Sequence, residues 1–168
     1  MKITRVEPIF LDRFLLVEIE TDEGIIGLGE SGSWGFLEAS GAAIEKFGRY
    51  LIGKDPLLIE HHWQYMYRFS HFRGAAIMGA LSAIDIALWD IAGKKAGLPI
   101  HQLLGSYRKS VPAYASSAVL DSPEAYGEQA AQYKADGCAA YKIHPPTASA
   151  KGDIAVCEAG REAVGDDY

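Results

Sequence analysis

Apolar and polar residues alternate along the first third of the chain, which is typical of half-buried β-strands. The clearest alternation interleaves inward and outward positions, namely Leu15, Val17 and Ile19 with Leu16, Glu18 and Glu20. Turn-forming residues 21–24 then precede a returning strand at 25–28, and residues 3–10 supply a third strand. The pattern predicts a three-stranded antiparallel meander.

Apolar residues then recur at helical spacing in three segments. The first predicted helix spans 37–51 and is closed by Gly53, and the third spans about 77–96 and ends at Gly97. Asp55 and Pro56 suit the cap and first turn of the helix between them. The expected core positions are Leu37, Ile44, Phe47, Leu51, Trp63, Met66, Leu81, Ile84, Leu88 and Ile91.

The order of elements changes after Gly105, from a meander with helices to strands that alternate with helices. The pattern predicts strands at 111–115 and around Lys142, with helices at 122–135 and 153–164. Strand, helix, strand, helix is the opening of a parallel α/β unit. We therefore predict a domain boundary near residues 105–110, between an α+β domain and a second α/β domain that is incomplete.

Composition narrows the classes of function. The chain has 168 residues, a net charge of −6 and a pI near 5.3, with no run of lysine or arginine, which argues against a nucleic-acid surface. We expect no membrane span, because no apolar stretch approaches the required length. The two cysteines form neither a disulfide framework nor a metal-binding spacing. A cytoplasmic protein is expected.

Lys142 and His144 lie near the end of the apolar stretch 138–146. Strand alternation places both on one face beside Cys138 and Ala140. So apolar a strand is expected to be buried on both sides, where an ammonium and an imidazole are costly without a task. The carboxyl ends of strands are also where α/β barrels place their chemistry. The alternative is a lysine and a histidine that have left the core at the last turn of the strand.

Two other patterns carry weaker functional signals. The glycines of residues 27–32 spell a dinucleotide-type pattern, but the preceding strand belongs to a hairpin, so turn glycines and a mobile loop are favoured. The histidines His61, His62 and His71 have no consistent ligand spacing. Surface positions or packing between helices are favoured for them over metal binding.

Residues 83–105, AIDIALWDIAGKKAGLPIHQLLG, following GIIGLGE at 24–30, resemble the mandelate racemase/muconate lactonizing enzyme family of the enolase superfamily. The resemblance covers nearly the whole chain and implies an N-terminal capping domain to about residue 108. It further implies that residues 109–168 are the first two β/α units of a TIM-like (β/α) barrel. Ser106 is a small departure, because a second glycine is common there in the family.

The resemblance implies removal of the proton α to a carboxylate, which gives an enediolate held on Mg²⁺. Racemisation or epimerisation, cycloisomerisation and dehydration of a sugar acid are the possible outcomes. In the family the second barrel strand commonly ends in Lys-x-Lys, whose second lysine is an acid/base. Lys142 and His144 match that motif, with His144 in the place of the second lysine. An imidazole titrates near neutrality without help, so the substitution is workable, and Lys142 would face the substrate carboxylate.

Capping domains of this family shape substrate choice through two loops, which map by position to residues 11–14 and 31–36. We expect Arg13 to meet a distal hydroxyl or carboxylate of the substrate, and Trp34 and Phe36 to exclude water. The alternative for each is an ordinary loop residue.

The family binds Mg²⁺ through acidic residues on the third, fourth and fifth barrel strands, and none of the acidic residues of 153–167 matches those positions. The Mg²⁺ ligands are therefore expected beyond Tyr168, and this chain alone is expected to be inactive. The expected partners are a small hydroxy-carboxylate substrate and further copies of the chain in a homo-oligomer, with neither nucleic acid nor membrane. The alternative is a non-catalytic fragment or α+β interaction module that associates through its capping domain and open barrel edge.

Overall fold

The computed structural model describes residues 1–146 and 149–168. It divides into two compact units, Met1–Tyr107 and Arg108–Tyr168. The first unit combines a sheet with helices, and in the second unit strands alternate with helices.

The predicted meander is confirmed. Its strands are β1 (Ile3–Leu11), β2 (Phe14–Thr21) and β3 (Ile26–Ser31), and they pair antiparallel in the order β1-β2-β3. The central strand buries Leu15, Val17 and Ile19 completely, because alternate side chains point to the covered face of the sheet.

Four helices complete the first unit, namely α1 (Leu37–Leu51), α2 (Ile59–Arg68), α3 (Ala75–Ala96) and α4 (Ile100–Leu103). Gly97 ends α3 in the left-handed conformation, with φ of 65°, as its position predicts. The predicted start of the second helix at Pro56 is wrong. Asp55 instead accepts the amide hydrogen of Leu57 through Oδ1, at 3.0 Å, which stabilises a turn three residues before the helix begins.

Helix α3 lies directly on β3 because two positions of the strand are glycines, so no side chain separates the strand from the helix. A Cβ on Gly27 would lie 2.2 Å from the carbonyl oxygen of Ala87, and a Cβ on Gly29 would lie 1.9 Å from that of Ala83. The glycines at 27 and 29 therefore serve the packing of a helix on a strand, and the weak nucleotide signal has a structural explanation.

The expectation that no stretch approaches membrane-span length is wrong for α3. Ala75–Ala96 is long and apolar enough to cross a membrane by length and composition. Its side chains Ile84, Leu88 and Ile91 are fully buried, and α3 contacts both β2 and β3. The same length and composition are found in the core helix of a globular domain, and the packing of α3 is of that kind.

In the second unit, β4 (Ala115–Ser116) and β5 (Tyr141–Lys142) pair in parallel, and α5 (Pro123–Ala135) and α6 (Ala150–Val164) follow them. Ser122 caps α5 by accepting the amide hydrogen of Ala125, as the Ser-Pro-Glu sequence predicts. The strand predicted at 111–115 is wrong in extent, because residues 111–114 are exposed and only Ala115 enters the ladder.

The strand around Lys142 is not buried on both sides, which corrects the sequence expectation. Tyr141 faces α5, where its hydroxyl donates to Oε1 of Gln129, and Ile143 reaches Gly160 of α6. Lys142 and His144 point the other way and are exposed. The helices cover one face of the two-stranded sheet, and no other described part of this unit covers the opposite face.

Candidate active site

The candidate site is built at the carboxyl ends of β4 and β5. The parallel ladder pairs Ala115 with Tyr141 and Ser116 with Lys142, so the two strands end side by side. The last regular rung joins the amide of Ser117 to the carbonyl of Lys142 at 3.0 Å. Residues that follow this rung are brought together by the sheet although they are distant in sequence.

Ser117 continues the ladder through its side chain and holds His144 twice. Its Oγ accepts the amide hydrogen of His144 at 2.8 Å, and its main-chain oxygen lies 2.9 Å from Nδ1 of the same residue. A carbonyl oxygen only accepts, so Nδ1 must donate and therefore carries the proton in the neutral ring. The lone pair of the neutral imidazole is then on Nε2.

Lys142 shares the exposed face of the strand end with His144, as strand alternation predicts. Its Nζ makes no hydrogen bond or ion pair with any residue in 1–146 or 149–168. The site thus presents an imidazole with a free Nε2 and an uncompensated ammonium side by side. That combination can take up a proton and bind an anionic oxygen, which is the combination of groups needed beside a carboxylate.

Sequence reasoning missed Ser117 and Tyr126, which support His144 from behind. The phenol of Tyr126 is completely buried on α5, donates to the main-chain oxygen of His144 at 2.8 Å and accepts from the amide of Leu120 at 2.8 Å. A tyrosine on the buried face of a helix needs a partner for its hydroxyl, so the sequence could have indicated that Tyr126 is hydrogen-bonded. The sequence could not have indicated which group is the partner, because that depends on the strand pairing.

The first unit brings together two of the three predicted substrate-binding residues. The guanidinium of Arg13, in the β1–β2 turn, lies 5.3 Å from the ring centroid of Phe14 and 5.9 Å from that of Trp34 in the loop after β3. Trp34 is 65% exposed and Phe36 is 70% exposed, and Phe36 makes no ring contact with another described residue. The two predicted loops therefore form one cationic and aromatic surface, to which Phe36 adds an unpaired ring.

A metal centre is not formed by the described residues. Within 1–146 and 149–168, no group of three or more histidine, cysteine, aspartate or glutamate side chains is placed to hold an ion. His62 is instead a packing residue, as expected: Nε2 donates to the carbonyl of Asp55 at 2.9 Å, and Nδ1 accepts from the hydroxyl of Tyr50 at 3.0 Å. Burial lowers the pKa of His62, which keeps the ring neutral.

Comparison with known proteins connects this geometry to a family. The model for the N-terminal domain of mandelate racemase / muconate lactonizing enzyme matches residues 5–105. D-galactonate dehydratase from Xanthomonas oryzae pv. oryzae is 40% identical over 146 residues, which are 86% of this chain and 38% of that protein.

Two crystal structures extend the similarity to both units. A member of the enolase superfamily from Salmonella Typhimurium is 29% identical with a TM-score of 0.87, over 99% of this chain and 52% of that one. The 3,6-anhydro-D-galactonate cycloisomerase from Zobellia galactanivorans is 34% identical with a TM-score of 0.87, over 100% of this chain and 49% of that one. The chain therefore spans about two fifths of the dehydratase and about half of each solved structure.

Proposed function

We propose that this chain, which belongs to the mandelate racemase/muconate lactonizing enzyme family, supplies an acid/base group to an enzyme that removes the proton α to the carboxylate of a sugar acid. The observation that carries the proposal is the bond from Nδ1 of His144 to the carbonyl of Ser117. That bond fixes the tautomer and leaves Nε2 on the exposed face as the proton acceptor.

The proton chemistry follows from the two exposed side chains. Nε2 of His144 accepts the α proton, and the electron pair left on carbon spreads onto the carboxylate oxygens. The ammonium of Lys142 lies against one of these oxygens and stabilises the charge that builds there. The proton taken up by Nε2 exchanges with solvent, so in D₂O His144 returns a deuteron to the α carbon and isotope exchange reports this step directly.

A sugar acid is the substrate class that the relatives support. The similar proteins include a D-galactonate dehydratase and a 3,6-anhydro-D-galactonate cycloisomerase, and both names contain a galactonate. Arg13 is proposed to bind a distal hydroxyl or carboxylate, and Trp34 and Phe36 to exclude water from the bound acid. The electron pair at the α carbon then forms a C=C bond as the β C–O bond breaks, and the imidazolium of His144 protonates the departing hydroxyl to give water, which makes the proposed enzyme an aldonic-acid dehydratase.

The Mg²⁺ that the family implies does not fit the described residues, which include no candidate ligand set. Mg²⁺ dependence is therefore proposed for the whole enzyme, through residues outside this chain. The contribution of the chain is the proton transfer at His144, the charge of Lys142 and the substrate contacts of the capping loops. The 168-residue chain on its own is proposed to be inactive.

The test is exchange of the α proton of D-galactonate and other aldonic acids in D₂O, followed by proton NMR, with the complete protein that contains this chain. We expect His144→Ala to abolish exchange for one epimer of a C2-epimeric pair. His144→Lys restores the second lysine of the family motif and should recover part of the rate. Lys142→Ala should weaken binding of the acid and slow exchange, whereas Lys142→Arg should retain both in part.

His71→Ala is the matched control, because it removes an exposed histidine from the first unit and should leave exchange unchanged. Exchange at the wild-type rate in His144→Ala would refute the assignment of the acid/base group. Loss of exchange in the His71 variant as well would show that the effect is not specific to the strand end.

A further inference from the structure

Tyr126 is the least exposed polar side chain near the candidate site and makes two hydrogen bonds with different parts of the chain. Its relative exposure is 0%, although it carries a hydroxyl. The hydroxyl donates to the main-chain oxygen of His144 and accepts from the amide of Leu120, each at 2.8 Å. These bonds join helix α5, the loop after β4 and the residue that follows β5.

Neither of these two backbone groups is part of the regular ladder between β4 and β5. The regular pairing ends at Ser116 and Lys142, followed by the rung from the Ser117 amide to the Lys142 carbonyl. Without the phenol, the carbonyl of His144 and the amide of Leu120 would be left without this partner beside a packed helix. The position of His144 therefore depends on a side chain that does not face the substrate.

The orientation of the imidazole depends on the same anchoring. Nδ1 of His144 reaches the carbonyl of Ser117 at 2.9 Å only while the backbone of residue 144 stays in register with residue 117. The amide bond from His144 to Oγ of Ser117 holds one side of that backbone, and the bond from Tyr126 holds its carbonyl. Two bonds to the main chain and the bond from Nδ1, which also has Oγ of Ser116 at 3.4 Å, thus hold a residue that is otherwise exposed.

We infer that Tyr126 is a positioning residue, which fixes the backbone of His144. Nδ1 of His144 then keeps its proton and donates it to the carbonyl of Ser117, and Nε2 faces the reacting proton. The inference rests on the proposed role of His144 as acid/base. Tyr126 does not contact substrate; it acts through the orientation and tautomer of the imidazole. Displacement of a catalytic group by about 1 Å can slow a reaction by about 100-fold, so the expected effect is on the rate of exchange.

The main variant is Tyr126→Phe, which keeps the ring in its buried position and removes only the hydroxyl. In the complete protein we expect kcat for α-proton exchange to fall by about 10- to 100-fold with little change in KM. Tyr133→Phe is the matched control on the same helix, because the Tyr133 hydroxyl makes no hydrogen bond to a residue in 1–146 or 149–168. Its exchange rate should stay within about twofold of wild type.

Two further measurements test positioning independently of turnover. Nitrogen-15 NMR of labelled histidine should show one tautomer for wild-type His144, protonated at Nδ1, and a mixture in Tyr126→Phe. Amide hydrogen exchange at His144 should accelerate in Tyr126→Phe, although the direct acceptor of that amide, Oγ of Ser117, is still present. Ser117→Ala removes that acceptor and gives the reference for a fully released amide.

The outcomes separate the inference from the proposed function. A single Nδ1-protonated tautomer and unchanged amide exchange at His144 in folded Tyr126→Phe would overturn the positioning role. Wild-type α-proton exchange in His144→Ala would overturn the proposed function and leave the NMR result to decide whether Tyr126 orders residue 144. A fall in kcat of Tyr126→Phe together with a mixed tautomer supports both.

Discussion

Replacing Gly29 by alanine tests whether β3 needs a glycine at this position because α3 packs directly on it. The new Cβ would lie 1.9 Å from the carbonyl oxygen of Ala83, 2.9 Å from its carbonyl carbon and 3.0 Å from the amide nitrogen of Ala87. The first distance is about 1.5 Å short of the 3.4 Å at which ordinary contact begins. All three atoms belong to the backbone of α3, so a side-chain rotation cannot relieve the overlap.

Relief requires a shift of α3, whose side chains Ile84, Leu88 and Ile91 are fully buried in the core that this helix shares with the sheet. Overpacking of this kind costs about 1–3 kcal/mol and sometimes more, and backbone displacement places Gly29→Ala near the upper value. Gly32→Ala is the control within the same glycine pattern, because its Cβ meets nothing within 4 Å and its φ is not left-handed. That variant should gain about 0.4–1 kcal/mol through a less flexible unfolded chain.

The assay is guanidinium unfolding followed by tryptophan fluorescence. All three tryptophans, Trp34, Trp63 and Trp89, lie in the first unit, so the signal reports the unit that contains β3. With a denaturant slope of roughly 2–6 kcal/mol per molar, a loss of about 3 kcal/mol lowers the midpoint by about 0.5–1.5 M. Midpoints for Gly29→Ala and Gly32→Ala that agree within about 0.1 M would refute the close-packing explanation.

Two further predictions concern local interactions. Burial holds the pKa of His62 below its usual value. Below about pH 6.5 the unfolded state therefore binds more protons than the folded state, and the free energy of unfolding should fall as the pH drops towards the pKa of the folded state. Above about pH 6.5 His62 should leave the free energy of unfolding unchanged. The pH dependence of the unfolding midpoint measures this, and a His62→Gln variant with the same dependence would contradict it. Ser122→Ala removes the cap from α5 and should destabilise the second unit by about 0.5–2 kcal/mol; hydrogen exchange along α5 measures the loss, and protection equal to that of wild type would contradict it.

Local periodicity was sufficient for most elements, because the information lies within each segment. Alternation at Leu15, Val17 and Ile19 predicted the central strand, and Gly97 predicted the end of α3. The start of α2 was mispredicted because a capping aspartate and a turn-forming aspartate both accept a nearby amide hydrogen, here that of Leu57, so the residue pattern at Asp55 fits either use. The extent of β4 was mispredicted because a strand ends where its partner ends, which is a nonlocal property.

The candidate site was predictable to the same degree. Strand alternation correctly placed Lys142 and His144 on one face, because that prediction depends only on their being two residues apart. The contacts that orient His144 join it to Ser117, 27 residues away, and to Tyr126, 18 residues away. Such contacts follow from the pairing of β4 with β5 and from the seating of α5, so no pattern within one segment indicates them.

The two histidines His62 and His144 show why residue type alone does not identify a base. Each places one ring nitrogen on a main-chain carbonyl, which fixes a tautomer: Asp55 accepts from Nε2 of His62, and Ser117 accepts from Nδ1 of His144. The second nitrogen distinguishes them. In His62 it accepts from the hydroxyl of Tyr50 and the ring is 1% exposed, so its lone pair is already used. In His144 the second nitrogen, Nε2, has no hydrogen bond to a residue in 1–146 or 149–168, and the residue is exposed at a strand end. A free lone pair on a ring held by its other nitrogen is what proton transfer requires, and of these two histidines His144 has it.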